Sequence, residues 1–201
     1  GNPQITFFRA VYRRHTNFSM ESFIQTKNNE PNFGDTTEVI IGKNGDMISK
    51  IWAQIKLPIP NIDATFTKTG GTYRRWTNSV GLALIKSCEL SIGGHIADKH
   101  YREWYDIWNE LSDPNKKLWN LIGKLDEIPN DDFDKVSRYN VPFNFWFCKN
   151  YGLALPLVSL QYHDIKLKIE LDTLNALVLT DGTVSTTPGS ITEFDIYIDY
   201  I

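Results

Sequence analysis

The chain is 201 residues long, 41% hydrophobic and 22% charged, and its 21 basic and 24 acidic side chains leave a formal net charge of −3. Such a length favours one domain that can bury roughly 70% of its unfolded surface, and so small a charge excludes a general attraction to nucleic acid. No run approaches the ~20 apolar residues of a membrane span, so no membrane insertion is expected.

At the N-terminus, Gly1-Asn2-Pro3-Gln4 has neither the basic nor the apolar region of a signal peptide. A chain that opens on glycine without an initiator methionine is expected to be processed, or to be a fragment of a longer product. Arg9, Arg13, Arg14 and His15 then interleave with Phe7, Phe8, Tyr12 and Phe18. Cations alternating with stacking faces are what single-stranded nucleic acid needs. The run is short, however, the chain is acidic, and no second basic stripe accompanies it. A segment that docks on protein, with arginine forks on carboxylates and aromatics as anchors, explains the same residues better. Arg9, Tyr12, Arg13, Arg14 and His15 are therefore protein-contact candidates, and no specific nucleic-acid partner is expected. Asn17-Phe18-Ser19 is an N-x-S sequon that reads as the entry to a strand.

From Phe18 onward the periodicity is mostly that of strands. Candidate strands cover 18–26, 36–41, 49–57, 80–92, 95–98, 141–147, 163–171 and the C-terminal segment. Ile165, Leu167, Ile169 and Leu171 alternate with Lys166, Lys168 and Glu170, the pattern of a half-buried strand. Phe194, Ile196, Ile198 and Tyr200 repeat it against Asp195 and Asp199, and Val141, Phe143, Phe145 and Phe147 are expected to face one way. Gly93-Gly94 reads as a two-residue hairpin turn, because both central positions of a type I′ turn need positive φ. Asn44-Gly45, Gly70-Gly71 and Asp181-Gly182 supply further turns. About eight short antiparallel strands without βαβ alternation predict an all-β fold, a single sandwich or jelly roll.

One helical insertion, at about 100–123, interrupts this pattern. Tyr101, Trp104, Tyr105, Trp108 and Leu111 recur at helical spacing. Asp113-Pro114 offers an N-cap and a first-turn proline for a second short helix carrying Leu118, Leu121 and Ile122. Both helices are expected to pack over one end of the sandwich. Residues 126–134 read as an acidic loop and 180–190 as a flexible one.

The chemistry-bearing residues do not assemble into a reaction centre. His15, His95, His100 and His163 form no H-E-x-x-H or H-x-H pattern, which argues against a metal and against a cupin. There is no G-x-S-x-G, and Cys88 falls on the core side of its strand beside Leu90 and Ile92. Cys88 and Cys148 are expected to be buried free thiols, which fits a reducing compartment. Gly42-Lys43-Asn44-Gly45 lacks phosphate-loop spacing, and Asp126, Glu127, Asp131, Asp132 and Asp134 lack calcium-loop spacing. No catalytic residue, cofactor or metal site is assigned, and an enzyme is not expected. Six tryptophans, Trp52, Trp76, Trp104, Trp108, Trp119 and Trp146, keep open a carbohydrate- or ligand-binding sandwich as the alternative. Trp104 and Trp108 are expected in the core of their helix. Trp52 and Trp146 lie opposite the alternating aliphatics, on a surface suited to burial against another body.

Four blocks carry a resemblance. Gly1-Asn2-Pro3-Gln4-Ile5-Thr6-Phe7-Phe8 leads into Tyr12-Arg13-Arg14-His15-Thr16-Asn17-Phe18, and Gly45-Asp46-Met47-Ile48 leads to Leu57-Pro58. Leu90-Ser91-Ile92-Gly93-Gly94 is followed by Trp104 and Trp108, and Phe145-Trp146-Phe147 by Gly152-Leu153-Ala154-Leu155-Pro156-Leu157. Over nearly the whole chain these resemble the first, N-terminal jelly roll of the major capsid proteins of nucleocytoplasmic large DNA viruses. The resemblance implies a structural virion protein whose subunit carries two jelly rolls, the second absent from this chain. It further implies that three subunits form a pseudo-hexagonal, trimeric capsomer of an icosahedral shell around an inner membrane. Partners would be other capsid protein copies and minor capsid proteins, and the location the virion capsid, assembled in the host cytoplasm. The missing second jelly roll leaves open whether this chain trimerises alone.

Because no His, Cys or carboxylate set has ligand spacing, the purified chain is expected to hold no stoichiometric transition metal. Its melting temperature should not move with a chelator, since a bound ion would add stability by mass action. One equivalent of zinc or iron by elemental analysis would overturn this.

Overall fold

Alternation decides which strands become central. The computed structural model describes residues 5–6, 9–10, 16–58, 74–112, 117–124, 138–180 and 190–201. Strand β11 (Ile165–Leu171) buries Ile165, Leu167, Ile169 and Leu171 and turns Lys166, Lys168 and Glu170 outward. It pairs on both edges, with β4 (Thr36–Ile40) and β7 (Ile85–Ile92), and β7 pairs in turn with β8 (His95–Tyr101). In the other sheet β13 (Glu193–Tyr200) lies between β3 (Glu21–Ile24) and β5 (Met47–Lys56). The far edge of β5 is shared by β9 (Arg138–Pro142) along 52–56 and β10 (Leu155–Pro156) along 47–48.

All these pairs are antiparallel. Taking the principal strands β3, β4, β5, β7, β8, β9, β11 and β13 as first to eighth, one sheet reads sixth, third, eighth, first and the other second, seventh, fourth, fifth. Only the fourth and fifth are neighbours both in sequence and in a sheet, and every other connection passes from one sheet to the other. That wrapping is the eight-stranded, double Greek-key jelly roll. The single in-sheet link is the expected hairpin, with Gly93 at φ 59° and Gly94 at φ 84°. A Cβ on Gly93 would also stand 2.7 Å from His163 Nδ1, so close packing and backbone sign both demand glycine there.

The inward rows of both sheets join one hydrophobic cluster: Ile51, Ala53 and Ile55 from β5, Ile196 and Ile198 from β13, Leu167 and Ile169 from β11, and Cys88 and Leu90 from β7. Each fully buried Leu or Ile side chain contributes about 1.5–3 kcal/mol. Shorter elements complete the chain. β1 (Ile5–Thr6) and β2 (Arg9–Ala10) pair with each other. β6 (Arg74–Trp76) pairs with β12 (Val178–Thr180), a ribbon with no clear alternation in its sequence. The helices are α1 (Val80–Leu84), α2 (Arg102–Ser112), α3 (Trp119–Ile122) and α4 (Leu174–Leu177).

Two expectations need correction. The run 80–92 is not one strand, because Val80–Leu84 forms α1 before β7 begins. An unbroken apolar run carries no period that separates a buried strand from a buried helix. The helix packs closely at its glycine: a Cβ on Gly81 would lie 3.0 Å from Val141 Cγ2 and 3.1 Å from the Ile122 carbonyl, so β9 and α3 press directly on its backbone. Likewise 141–147 is a strand only to Pro142. Val141, Phe143, Phe145 and Phe147 do all face the core, each no more than 1% exposed, but Trp146–Cys148 is a 3-10 turn. Ring stacking replaces the strand ladder, with Phe143, Phe145 and Phe147 centroids 6.1 and 5.7 Å apart.

The strand expected at 95–98 runs on to Tyr101. Helix α2 stands where the tryptophan spacing placed it, and α3 begins at Trp119; Asp113 and Pro114 lie outside the described residues, as do Gly70-Gly71, the acidic loop and 181–189. Cys88 and Cys148 are free thiols, the first buried and the second half-buried.

If Leu167 is a core side chain, Leu167→Ala should cost about 2–5 kcal/mol in urea unfolding through lost burial and a cavity. Lys166, whose Nζ meets Glu38 at 3.0 Å on the exposed face, should tolerate alanine within about 0.5 kcal/mol. Equal losses at both positions would contradict the alternation.

Candidate functional site: the outward faces of the sandwich

The two sheets present opposite chemistry to the outside. On the β4-β11-β7-β8 sheet, register places Glu38, Lys168, Glu89 and Lys99 in one cross-strand row. Lys99 meets Glu89 at 3.2 Å and Lys86 meets Glu170 at 2.5 Å. The hydrogen bond from Lys86 holds the Glu170 carboxyl below its ordinary range and raises the Lys86 ammonium in return. Opposite charges facing across strands satisfy one another while water solvates them. The exposed apolar side chains of this sheet, Ile40, Ile96 and Tyr101, sit on its two edge strands, β4 and β8, rather than across its centre.

On the other sheet, register aligns Ile24 of β3, Tyr197 of β13, Trp52 of β5 and Pro142 of β9 in a single apolar row. The Trp52 and Tyr197 rings meet edge to face, with centroids 5.0 Å apart. Ile24 is 58% exposed. Polar rows border this stripe. Above it, Gln54 donates to Asn140 Oδ1 at 3.2 Å, and Arg138 and Lys56 reach Glu193 at 2.7 and 3.4 Å. The Arg138 hydrogen bond is the main reason that the Glu193 carboxyl titrates low. Below it, Ser22 donates to Asp199, and Lys50 lies 5.4 Å over the Tyr151 ring. An apolar centre within a charged rim is the anatomy of a protein interface.

Two further surfaces extend this picture. Residues 16–20 are exposed throughout and wall an open groove of about 1130 Å³, shared with Asp46, Met47, Tyr151 and Ile201. On α2, Tyr105 and Asn109 point inward, whereas Trp104, Ile107 and Leu111, at spacings of three and four, are 37%, 54% and 74% exposed. Trp104 is thus not the core residue expected of it; its ring lies against that of Trp108, which is half-buried, at 5.5 Å. Lys124 ties α3 to α2 through Asp106 and Glu110.

Of the protein-contact candidates, Trp52 sits at the centre of the apolar row. Trp146 is 37% exposed, its ring perpendicular to Phe147. Arg9 belongs to β2; Tyr12, Arg13, Arg14 and His15 lie outside the described residues. Sequence reasoning missed Ile24, Tyr197, Ile107 and Leu111. Tyr197 did carry a signal, as the aromatic among the outward acids of β13. Nothing resembling a reaction centre comes together among the described residues. Burial pushes the Cys148 thiol up to about 11 and the Cys88 thiol higher than its ordinary value, so neither offers a thiolate at neutral pH.

Residues 6–201 match the family model described as the N-terminus of the major capsid protein. The chain belongs to this family. It is 40% identical over 207 residues to the major capsid protein of Pyramimonas orientalis virus, covering 100% of this chain and 48% of that protein. It is 43% identical over 176 residues to probable capsid protein 4 of Acanthamoeba polyphaga mimivirus, covering 84% and 34%. Its fold is similar to a chain of the PBCV-1 virus capsid quasi-atomic model, with a TM-score of 0.70, 31% identity, and coverage of 97% and 45%. The chain thus spans about half the length of its relatives or less. The capsid family is structural rather than enzymatic, and the comparisons lend no support to a carbohydrate-binding module.

If Trp52 and Tyr197 form one patch in solution, a double-mutant cycle of Trp52→Ala and Tyr197→Ala in urea unfolding should give a coupling of about 0.5–1.5 kcal/mol. Additive losses would mean that the rings act separately.

Proposed function

We propose that this chain is a single jelly-roll domain, the first of two in a capsid protein subunit, and that it builds a virion shell through its outward faces. The observation that carries this reading is the contrast between those faces. A Lys/Glu lattice neutralises itself on one side, while on the other an aromatic row within a charged rim leaves apolar area unburied. A protein that acts alone gains nothing from such a row, whereas one that tiles a shell needs it.

In this proposal three full-length subunits form a pseudo-hexagonal capsomer of an icosahedral shell assembled in the host cytoplasm. The Trp104, Ile107 and Leu111 stripe of α2 meets a neighbouring subunit, and Trp52 and Trp146 meet a neighbouring domain. Arg9, Tyr12, Arg13, Arg14 and His15 dock on other capsid protein copies or on minor capsid proteins rather than on nucleic acid.

Association costs several kcal/mol of rigid-body freedom before any contact contributes, so a domain holding part of an interface is expected to be monomeric at micromolar concentration. A full-length subunit should be a stable trimer by light scattering after size exclusion. Ile107→Glu with Leu111→Glu should break that trimer while shifting the stability of the isolated chain by only about 0.5 kcal/mol per site. A full-length protein that is folded yet stays monomeric at high concentration would overturn the reading.

A further inference from the structure

Three elements meet on one imidazole. His100, near the end of β8, faces Cys88 across the β7–β8 ladder. Its ring stacks on Phe145 at 5.0 Å and 23°, and stands edge-on to Tyr105 of α2 at 5.6 Å. Trp104, also in the first turn of α2, lies at 6.3 Å. Nε2 is 3.2 Å from Asp98 Oδ1, whereas Nδ1 is buried with no hydrogen-bond partner among the described residues.

We propose that His100 is a pH-sensitive latch: as the neutral imidazole it fastens the start of α2 to β8 and Phe145, and on protonation it leaves the aromatic box and frees α2.

The geometry accounts for the direction. In the neutral ring the Asp98 contact selects the tautomer with its proton on Nε2, and Nδ1 is a lone pair among aromatic rings. Protonation creates an N–H at Nδ1 with no acceptor in reach, inside a desolvated box. The groups that face the ring are few. Asp98, on its own strand, favours the charge, and so does the π face of Phe145. Lys149, just beyond the 3-10 turn and 4.4 Å over the Trp108 ring, opposes it. Tyr105 from α2 and Cys88 from β7 are both kept neutral by burial and offer no compensating anion. Burial prevails, and His100 titrates below the ordinary histidine value.

The latched state therefore has its full advantage above the free-imidazole pKa of about 6.5 and loses it as pH falls through the lower latched value. Only the consequence for assembly rests on the proposed capsid contacts, since release of α2 would move the Trp104, Ile107 and Leu111 stripe. The latch itself belongs to the isolated chain and can fail or hold independently of trimer formation.

The test is hydrogen exchange of the α2 amides in the 201-residue chain, corrected for intrinsic rates, from about pH 7.5 to about pH 5. Wild-type protection should fall by up to tenfold per pH unit, the limit for one proton. His100→Phe, which keeps a ring in the box but cannot titrate, should hold protection flat. Asp98→Asn removes the carboxylate that favours the charge and should deepen the total loss. Should His100→Phe fail to fold, His100→Gln and direct NMR titration of the His100 ring replace it, the ring being expected to titrate below about 6.5. Flat wild-type protection, a non-titrating variant that loses protection as steeply as wild type, or a ring that titrates above that value would overturn the latch.

Discussion

The interior shared by the two sheets is the constraint on which everything else depends. Ile51, Ala53 and Ile55 of β5 and Ile196 and Ile198 of β13 enter the same cluster as Leu167 and Ile169 of β11 and Leu90 of β7. Apart from the β7–β8 hairpin, consecutive strands alternate between sheets, so a strand's ladder partner is distant in the chain, and each strand commits its apolar side to that one interior. A slip of one residue in any of them would turn its whole apolar row to water. The shared interior thus enforces register, and among the strands paired on both edges the alternation is cleanest in β11 and β13.

Once the inward rows are committed, the outward rows are free to differ, and they do. The Lys/Glu face closes its own electrostatics through Lys86–Glu170, Lys99–Glu89 and Lys166–Glu38. Exposed pairs of this kind contribute little stability each, and their main effect is to keep a sheet face soluble. The opposite face spends its central positions on Ile24, Tyr197, Trp52 and Pro142, confining ionic groups to the border. Under the proposed role in a shell, that asymmetry has a use, because a shell subunit needs both faces that bind and faces that do not.

The insertion between β8 and β9 extends the same division of labour. Helix α2 is held from beneath by Tyr105 and Asn109 and from the side by Lys124, leaving Trp104, Ile107 and Leu111 outward. Its attachment at the β8 end combines aromatic contacts around His100 with an ion pair from Arg102, the first residue of α2, to Asp172. Helix α2 buries only Tyr105 and Asn109, which is why the proposed latch is placed there.

Much of this was legible from the order of residues alone. Alternation along 165–171 and 194–200 identified the inward side chains, because the side-chain period of a strand is local and needs no knowledge of the partner. Gly93-Gly94 announced its turn for the same reason, since the sign of φ belongs to the residue itself. The four blocks spread between Gly1 and Leu157 were enough to name a family. Tertiary structure alone decided the rest. The apolar stretch Val80–Leu84 carries no period, so its helix, with Gly81 packed directly against β9 and α3, was not legible in the sequence. Phe143, Phe145 and Phe147 alternate like a strand, yet stacked on one another and left the ladder. Trp52 and Tyr197 are 145 positions apart in the chain. That they share a row with Ile24 and Pro142, and that His100 meets Phe145 and Tyr105, depends on which strands pair and in what register, and such long-range choices are settled by the common core rather than by any local pattern of residues.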